Sequence, residues 1–118
     1  MILVKRVYDP PSNTDGARFL VDKLWPRGLK KSDVKMKAWL KDVAPSTALR
    51  QWFHHEPEKW PEFRRRYLHE IKCHEESLKP LLEAAAAHDV TLLFSARDAE
   101  HNNAVALKEY LEKKAKQA

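Results

Sequence analysis

The chain has 118 residues, of which 43% are hydrophobic and 33% are charged, and its formal net charge is +5. This length and mixture predict one globular domain, residues 1–118, and exclude a disordered or fibrous chain. One cysteine, Cys73, excludes an intramolecular disulfide and fits a reducing compartment. The apolar stretch Met1–Val4 is too short for a signal peptide and no segment has the length of a membrane span, so we expect a cytoplasmic protein without membrane partners.

The positive charge is concentrated in the first part of the sequence. Residues 1–50 contain eleven lysine and arginine residues against five aspartates, whereas residues 51–118 contain eleven against twelve acidic residues. One interpretation is a positive surface for an anionic partner. The other is that the lysines at positions 30, 31, 35 and 37 only solubilise a loop, and composition alone leaves both open.

The first part of the chain is predicted to contain strands joined by loops. Ile2–Tyr8 is mostly apolar at its start, which predicts a strand in the interior of a sheet. The turn-rich residues Asp9–Gly16 predict a loop. Arg18–Trp25 alternates as a second strand, in which Phe19 and Val21 face one way and Leu20, Asp22 and Leu24 face the other.

The middle of the chain changes from strands to helices. Met36–Val43 is either a third short strand or an irregular segment. Ser46 is a good N-cap for a helix over Thr47–His54. A longer helix begins near Glu58 or Pro61. Its apolar residues recur at helical spacing and form a predicted buried stripe of Trp60, Phe63, Tyr67 and Ile71.

The last third alternates helix, strand and helix. A helix is predicted over Ser77–Ala87, a fully buried parallel strand over Val90–Phe94, and a final helix to about Lys116 that is capped by Asp98 or Ser95. The resulting order is β-β-(β)-α-α-α-β-α. It predicts an α/β fold with a small, mostly parallel sheet flanked by helices in two or three layers.

The direction of the second strand is open at this stage. Only about nine residues link the first two strands, which is short for a parallel crossover and is also compatible with a long hairpin. If the strands are parallel, Tyr8, the turn after Trp25 and the residues after Phe94 meet at one edge of the sheet, where ligands of open α/β sheets bind. If they form a hairpin, Tyr8 leaves that edge.

The turn Trp25-Pro26-Arg27-Gly28 is the leading candidate site. Arg27 is suited to bidentate binding of a phosphate or carboxylate, or else forms a salt bridge with an acidic neighbour. Trp25 either stacks on a base or sugar or closes the core. Asp22, a carboxylate in an apolar strand, is either paired with an arginine or poised as an acid/base, which makes it the best candidate for a catalytic group.

Several common classes of site are excluded by the sequence. The chain has only two glycines, Gly16 and Gly28, so it lacks the phosphate-binding P-loop and the dinucleotide fingerprint. It also lacks a Gly-x-Ser-x-Gly elbow and a Cys-x-x-Cys pair. His69 and Cys73 have the spacing of a metal pair on one helix face, but no third ligand is suitably placed, so we predict neither a metal nor a cofactor.

Several strings of residues, in order along nearly the whole chain, resemble a known family. They are Arg6–Pro11 (Arg-Val-Tyr-Asp-Pro-Pro), Leu20–Leu29 (Leu-Val-Asp-Lys-Leu-Trp-Pro-Arg-Gly-Leu), Trp39–Ser46 (Trp-Leu-Lys-Asp-Val-Ala-Pro-Ser), Leu49–Phe53 and Asp98–Ala104. Together they resemble the YeaO-like branch of a bacterial superfamily of domains of unknown function. The resemblance implies a small cytosolic α/β protein and no particular activity. Other branches carry a Cys-His-Arg string near the junction after the last strand, where this chain has Asn102-Asn103-Ala104, so the chemistry of those branches does not carry over.

The leading hypothesis is an anion-binding cleft for a phosphate-bearing ligand, either a nucleotide or a nucleic-acid end. The residues assigned to this ligand are Arg18, Asp22, Trp25, Arg27, Arg50 and Asn102. One alternative is a non-catalytic interaction module or homo-oligomer that buries Trp25, Trp39 and Trp52. Another is a basic nucleic-acid binder without a pocket. The sequence leaves open the oligomeric state and whether chemistry follows binding.

Overall fold

A four-stranded parallel sheet forms the centre of the structure. In the computed structural model, which describes residues 1–117, its strands are β1 (Ile2–Arg6), β2 (Ala17–Leu20), β3 (Ala38–Trp39) and β4 (Val90–Phe94). Their spatial order is β1-β4-β2-β3, and every neighbouring pair is parallel. All five residues of β4 are buried, as expected for a central strand covered on both faces. The predicted α/β class and the predicted bounds of the last strand are therefore confirmed.

The parallel alternative for the first two strands is confirmed, but they are not neighbours. β4 lies between them, and residues 7–16 carry the chain back from the end of β1 to the start of β2. The prediction that the first strand is interior is wrong, because β1 occupies an edge and most of its residues are only half-buried. The strand also ends at Arg6 rather than Tyr8.

The second strand is shorter than predicted. It ends at Leu20 instead of Trp25, although the Val21 N–H still donates to the Leu93 carbonyl at 3.1 Å. The ladder stops here because β3 offers partners only to Phe19 and Leu20, and because β4 itself ends shortly beyond. Asp22 therefore lies in the loop that follows the strand.

The two faces of the sheet are covered differently. Phe19 and Val21 belong to the main core formed with the helices. Leu20 and Leu93 face the opposite way, where a smaller cluster is closed by Trp25, Leu29 and Met36 from loops and by Trp39 from β3. The predicted alternation is confirmed for Phe19, Leu20 and Val21, and the strand ends before the predicted residues beyond them. Among residues 1–117, the α-helices contribute to the main core on one face only.

Four α-helices follow β3 in the chain: α1 (Thr47–Phe53), α2 (Trp60–Cys73), α3 (Lys79–Ala87) and α4 (Asn103–Gln117). Short 3₁₀ turns cover Lys31–Asp33, Lys41–Val43, Pro57–Lys59 and Glu75–Leu78. No helix within residues 1–117 is both long enough and apolar enough to span a membrane.

The helix starts show which predicted caps are used. The Ser46 hydroxyl accepts a hydrogen bond from the Leu49 N–H at 3.1 Å, so the predicted cap of α1 is confirmed. The final helix starts later than predicted, because the side chain of Asn102 takes the capping role by accepting a hydrogen bond from the Val105 N–H at 3.1 Å. Neither Ser95 nor Asp98 caps it.

A buried ionic cluster holds the loop after β1 on the loop-covered face. Asp15 accepts hydrogen bonds from the Arg18 guanidinium at 2.5 Å, the Ser12 N–H at 3.0 Å and the Lys5 ammonium at 3.2 Å. Its own carbonyl accepts one from the Thr91 hydroxyl at 2.7 Å. Burial alone raises the pKa of Asp15, but the bonds from Ser12, Arg18 and Lys5 outweigh it and lower the pKa below its ordinary value.

We expect Asp15→Asn to destabilise the fold by about 3 kcal/mol at neutral pH, because the variant leaves the buried Arg18 guanidinium without its counter-charge. Because the Asp15 pKa is lower in the folded state, its contribution is complete above the unfolded value of 3.8 and is lost as the pH falls through the folded value. Urea unfolding should therefore show the difference from wild type shrinking below about pH 4. Asp9→Asn, an exposed aspartate in the same loop, is the control. A difference that does not change with pH would contradict this assignment.

Gly16 is required by a close approach between backbones. Its φ is +65°, and a Cβ atom placed there would lie 2.1 Å from the Asp89 carbonyl oxygen. Gly28 has a similar φ of +82°, but a Cβ atom at this position would have nothing within 4 Å of it.

We expect Gly28→Ala to cost about 1–2 kcal/mol from the left-handed backbone alone. Gly16→Ala should cost distinctly more, because the backbone must also move to relieve the contact with Asp89. Urea midpoints of the two variants compare these costs directly, and equal midpoints would show that the contact at Gly16 is easily relieved.

Candidate functional site

A cleft of about 530 Å³ opens where the parallel strands end. We call it the strand-end cleft. Its walls are Tyr8 after β1, residues 22–25 and Arg27 after β2, residues 95–96 after β4, the end of α1 and the start of α4. This is the edge at which open parallel sheets bind ligands, and the volume is within the range of small-molecule sites.

Most of the residues assigned to the ligand from sequence meet in this cleft. Asp22, Trp25, Arg27, Arg50 and Asn102 all line it. Their convergence follows from the parallel topology, which brings residues distant in the chain to one edge of the sheet.

Arg18 lies elsewhere. It pairs in the sheet with Thr91, near the amino end of β4, and its side chain faces the loop-covered side. Its guanidinium is bound to Asp15 and donates to the Lys35 carbonyl at 2.7 Å. The structure thus gives Arg18 a role in the buried ionic cluster, because it stands at the start of the strand rather than at its end.

The strand-end cleft has an excess of positive charge. Lys23, Arg27 and Arg50 line it, whereas Asp22 is its one carboxylate among the described residues. The Arg27 side chain is exposed and Arg50 is half-buried. Within residues 1–117, neither arginine forms an ion pair. The salt bridge considered for Arg27 from sequence is therefore not formed.

Asp22 joins the ends of two neighbouring strands. Its Oδ2 atom accepts hydrogen bonds from both the N–H and the hydroxyl of Ser95, at 2.8 and 2.7 Å. Its carbonyl accepts a third bond from the Trp39 indole at 2.7 Å. The carboxylate thus links two segments that line the cleft. Its hydrogen-bond partner is Ser95, and not the arginine considered from sequence.

The tryptophans are partnered within the chain. The Trp25 indole donates to the Leu29 carbonyl at 2.6 Å and meets the Trp39 ring edge to face, with centroids 5.2 Å apart. Trp52 lies under the Arg66 guanidinium, 4.4 Å from the ring centroid. Trp25 therefore closes the smaller cluster, which is one of the two roles considered for it, and it also lines the cleft. Stacking on a base or sugar stays a prediction.

The start of α4 explains the two adjacent asparagines. Besides capping the helix, Asn102 donates from Nδ2 to the Asp98 carbonyl at 2.9 Å, and it is buried. Asn103 donates to the Val21 carbonyl at 3.0 Å, which fixes the helix to the end of β2. The Asp98 pKa is lowered, first by the Glu100 N–H and then by the His101 side chain, so this turn is held by a charged acceptor.

Sequence reasoning missed the histidines of the cleft. His54, His55 and His101 line it, and the first two have left-handed backbones with φ of 45° and 56°. The sequence does indicate that α1 ends near His54, because Glu56-Pro57 breaks the helix. No residue pattern near this position, however, indicates that the end of α1 lies beside the carboxyl ends of the strands.

A second cleft of about 550 Å³ lies beside the N-terminus of α1. Its lining includes three carboxylates, Asp42, Glu70 and Glu76. Glu70 accepts hydrogen bonds from the Ser46 N–H at 2.8 Å and from the Ser46 hydroxyl at 2.6 Å, so the free end of α1 is occupied by the protein itself. This acidic cleft does not suit an anion.

Comparison with known proteins shows the family of this chain. The model of a protein family described as the inactive DUF488-N3 subclade matches residues 1–118. The chain belongs to this subclade. It is 46% identical over 110 residues to the uncharacterised protein YeaO of Escherichia coli strain K12, covering 93% of this chain and 96% of YeaO. The predicted resemblance to the YeaO-like branch is confirmed.

Mycobacterial proteins are also similar to this DUF488-N3 chain. The uncharacterised protein Rv3073c of Mycobacterium tuberculosis strain H37Rv is 49% identical over 70 residues, 59% of each chain. The uncharacterised protein Mb3100c of Mycobacterium bovis matches to the same extent. No solved structure has a significant match.

We expect Asp22→Ala to destabilise this DUF488-N3 chain by about 2–3 kcal/mol, because the Ser95 N–H and hydroxyl lose a charged acceptor. Ser95→Ala removes only the hydroxyl donor and should cost about 1 kcal/mol. In a double-mutant cycle from urea unfolding, the double variant should lose less stability than the sum of the two single losses. Additive losses would show that the contact between the Ser95 hydroxyl and Asp22 contributes nothing to stability.

Proposed function

We propose that this protein binds a phosphate-bearing ligand, a nucleotide or a nucleic-acid end, in the strand-end cleft. The observation that carries the proposal is the placement of Arg27 and Arg50, on separate segments, in one cleft without intramolecular ion pairs among the described residues. A guanidinium presents parallel donors that match phosphate oxygens, and two of them from different directions suit a group with several such oxygens.

The turn that carries Arg27 is fixed before any ligand arrives. The Tyr8 hydroxyl donates to the Arg27 carbonyl at 2.8 Å, and the Trp25 indole closes the turn onto Leu29. The backbone therefore loses little freedom on binding, which reduces the entropic cost of forming a complex. Tyr8 and Trp25 also place aromatic rings on the same rim, where a base or sugar can pack.

The hydrogen bonds of the cleft residues favour ligand binding without catalysis. Asp22, the best candidate for an acid/base, holds Ser95 through its carboxylate. Asn102 and Asn103 use their amides to cap and fix α4. The description of the subclade as inactive supports the same conclusion.

The alternative of an aromatic interaction module or homo-oligomer has less support. Trp25 and Trp39 donate their indole N–H groups to the chain's own carbonyls, and Trp52 is covered by Arg66. None of these three rings belongs to the large exposed hydrophobic residues. The alternative stays a prediction.

The test measures binding of adenosine 5′-monophosphate and of a 5′-phosphorylated dinucleotide by calorimetry, at two salt concentrations. Arg27→Ala should weaken both affinities at least about tenfold, because a hydrogen-bonded charge of this kind contributes about 1.5–3 kcal/mol. Since the Arg27 side chain is exposed, we expect the variant to fold normally, and its unfolding midpoint checks this.

Arg97→Ala is the matched control. Arg97 is also an exposed arginine on a loop after a strand, but it does not line the cleft. Its removal should change either affinity by less than about twofold. Equal binding by wild type and Arg27→Ala, or equal losses in both variants, would refute the proposed site.

A further inference from the structure

We propose that the ligand of the strand-end cleft is the phosphorylated end of a single-stranded nucleic acid, whose following nucleotides lie along residues 23–37. We call this segment the basic loop. The inference rests on the proposed function, since the terminal phosphate is the group that the cleft arginines bind. It adds the class of ligand and a second surface that holds the rest of it.

The basic loop carries an exceptional share of the positive charge. It has six lysine and arginine residues against one aspartate, a net charge of +5, which equals the net charge of all 118 residues. The rest of the chain is therefore neutral by count. The single acid, Asp33, accepts a hydrogen bond from the Lys30 N–H at 2.8 Å.

The lysines of the basic loop are exposed and lack acidic partners. Those at positions 30, 31, 35 and 37 are all exposed, and within residues 1–117 none forms an ion pair. The arginine run Arg64–Arg66 is different, because each of its members pairs with Glu62 or Glu109. A net positive field thus remains over the basic loop and is cancelled over the arginine run.

The basic loop is also fixed in place. Its residue Val34 is buried against the sheet, the Lys35 carbonyl accepts a bond from Arg18 at 2.7 Å, and the Lys37 N–H donates to the Arg18 carbonyl at 2.6 Å. The lysines therefore project from an ordered backbone. An ordered row of cations needs less ordering on binding than a flexible tail does.

The basic loop begins inside the strand-end cleft and leaves it. Lys23, Trp25 and Arg27 line the cleft, and Lys30 follows three residues after Arg27. A polyanion whose end is held by Arg27 meets the lysines next. Aromatic rings beside a row of cations are the usual means by which proteins bind single strands without reading their sequence.

The loop suits a nucleic acid better than an anionic membrane surface. Its apolar residues Leu29, Val34 and Met36 pack in the smaller cluster under the sheet, so that Leu24 is the one large hydrophobic residue that the loop exposes. Membrane-surface segments combine cations with an apolar face that enters the lipid. In the basic loop, the apolar side chains pack in the smaller cluster instead of facing a lipid surface.

The experiment compares three proteins by fluorescence anisotropy and calorimetry: wild type, the triple variant Lys30→Gln/Lys31→Gln/Lys35→Gln, and the control Lys72→Gln/Lys113→Gln/Lys116→Gln. The control removes three exposed lysines of α2 and α4 and makes the same change in net charge. The probes are a 5′-phosphorylated single-stranded decanucleotide, the same strand without the phosphate, adenosine 5′-monophosphate, and vesicles containing phosphatidylserine.

In wild type, the phosphorylated decanucleotide should bind at least about tenfold more tightly than the monophosphate, with a salt dependence that reports several phosphate contacts. The loop variant should lose at least about tenfold in decanucleotide affinity, and its slope of log affinity against log salt should fall by about 2, since each single-strand contact contributes about 0.7. Its affinity for the monophosphate should stay within about twofold, and the control should resemble wild type. Removing the 5′-phosphate should weaken binding of the decanucleotide.

Several results would overturn the inference. Equal affinities for the monophosphate and the decanucleotide, or equal losses in the loop variant and the control, would leave the cleft as a mononucleotide site and remove the basic loop from it. Decanucleotide binding that ignores the 5′-phosphate would reject the end-specific form. Vesicle binding that depends on the loop, without decanucleotide binding, would assign it to a membrane surface. Failure of every phosphate probe would instead refute the proposed function itself.

Discussion

The pairing of β4 with strands on both of its sides is the constraint on which the rest of the structure depends. β4 forms five residue pairs with β1 and four with β2, although it comes some seventy residues later in the chain than β2. Since all three strands are parallel, the segments that leave them emerge at the same edge. The strand-end cleft exists because of this topology, and its residues are drawn from segments that are far apart in sequence.

The edge is then organised by hydrogen bonds that link one strand end to the next. Asp22 connects the end of β2 to Ser95 after β4, and Asn103 connects α4 back to Val21. Arg6 reaches the carbonyls of Ser95 and Ala96 from β1, at 3.2 and 2.9 Å. These contacts commit the side chains of Arg6, Asp22 and Asn103 to structure. Within residues 1–117, the cationic groups of Arg27 and Arg50 have no ion-pair partner. This absence of partners is the physical basis of the proposal that the cleft binds a ligand.

Much of the fold follows from local patterns, and the errors share a cause. The apolar run Val90–Phe94 marked a buried strand, and Ser46 marked a helix start, because each depends on residues close in sequence. The second strand was predicted too long because alternation continues past Leu20, where the neighbouring strands stop offering partners. The cap of α4 was placed too early because Ser95 and Asp98 are good caps in isolation. The structure uses them to hold Asp22 and the turn before Asn102.

For the cleft, too, the sequence indicates residues that are close together in the chain, but not those that only the folding of distant segments brings together. Asp22, Trp25 and Arg27 were grouped because they lie close together in sequence, just after one strand, and all three line the cleft. Arg18 was grouped with them for the same reason, although it stands at the other end of that strand and pairs with Asp15. His54 and His101 were missed because only the packing of α1 and α4 against the sheet brings them to the cleft.

The two edge strands of the sheet limit backbone pairing with a strand of another molecule. β3 is only two residues long, too short to template a further strand. At the opposite border, β1 has neighbouring charged residues, Lys5 and Arg6, whose side chains reach back toward Asp15 and Ala96. Backbone pairing with another molecule along that border would have to accommodate these inward-turned cations. Both edge strands thus disfavour edge-to-edge aggregation. β3 does so because it is short, and β1 because its charged side chains also hold the domain's own loops.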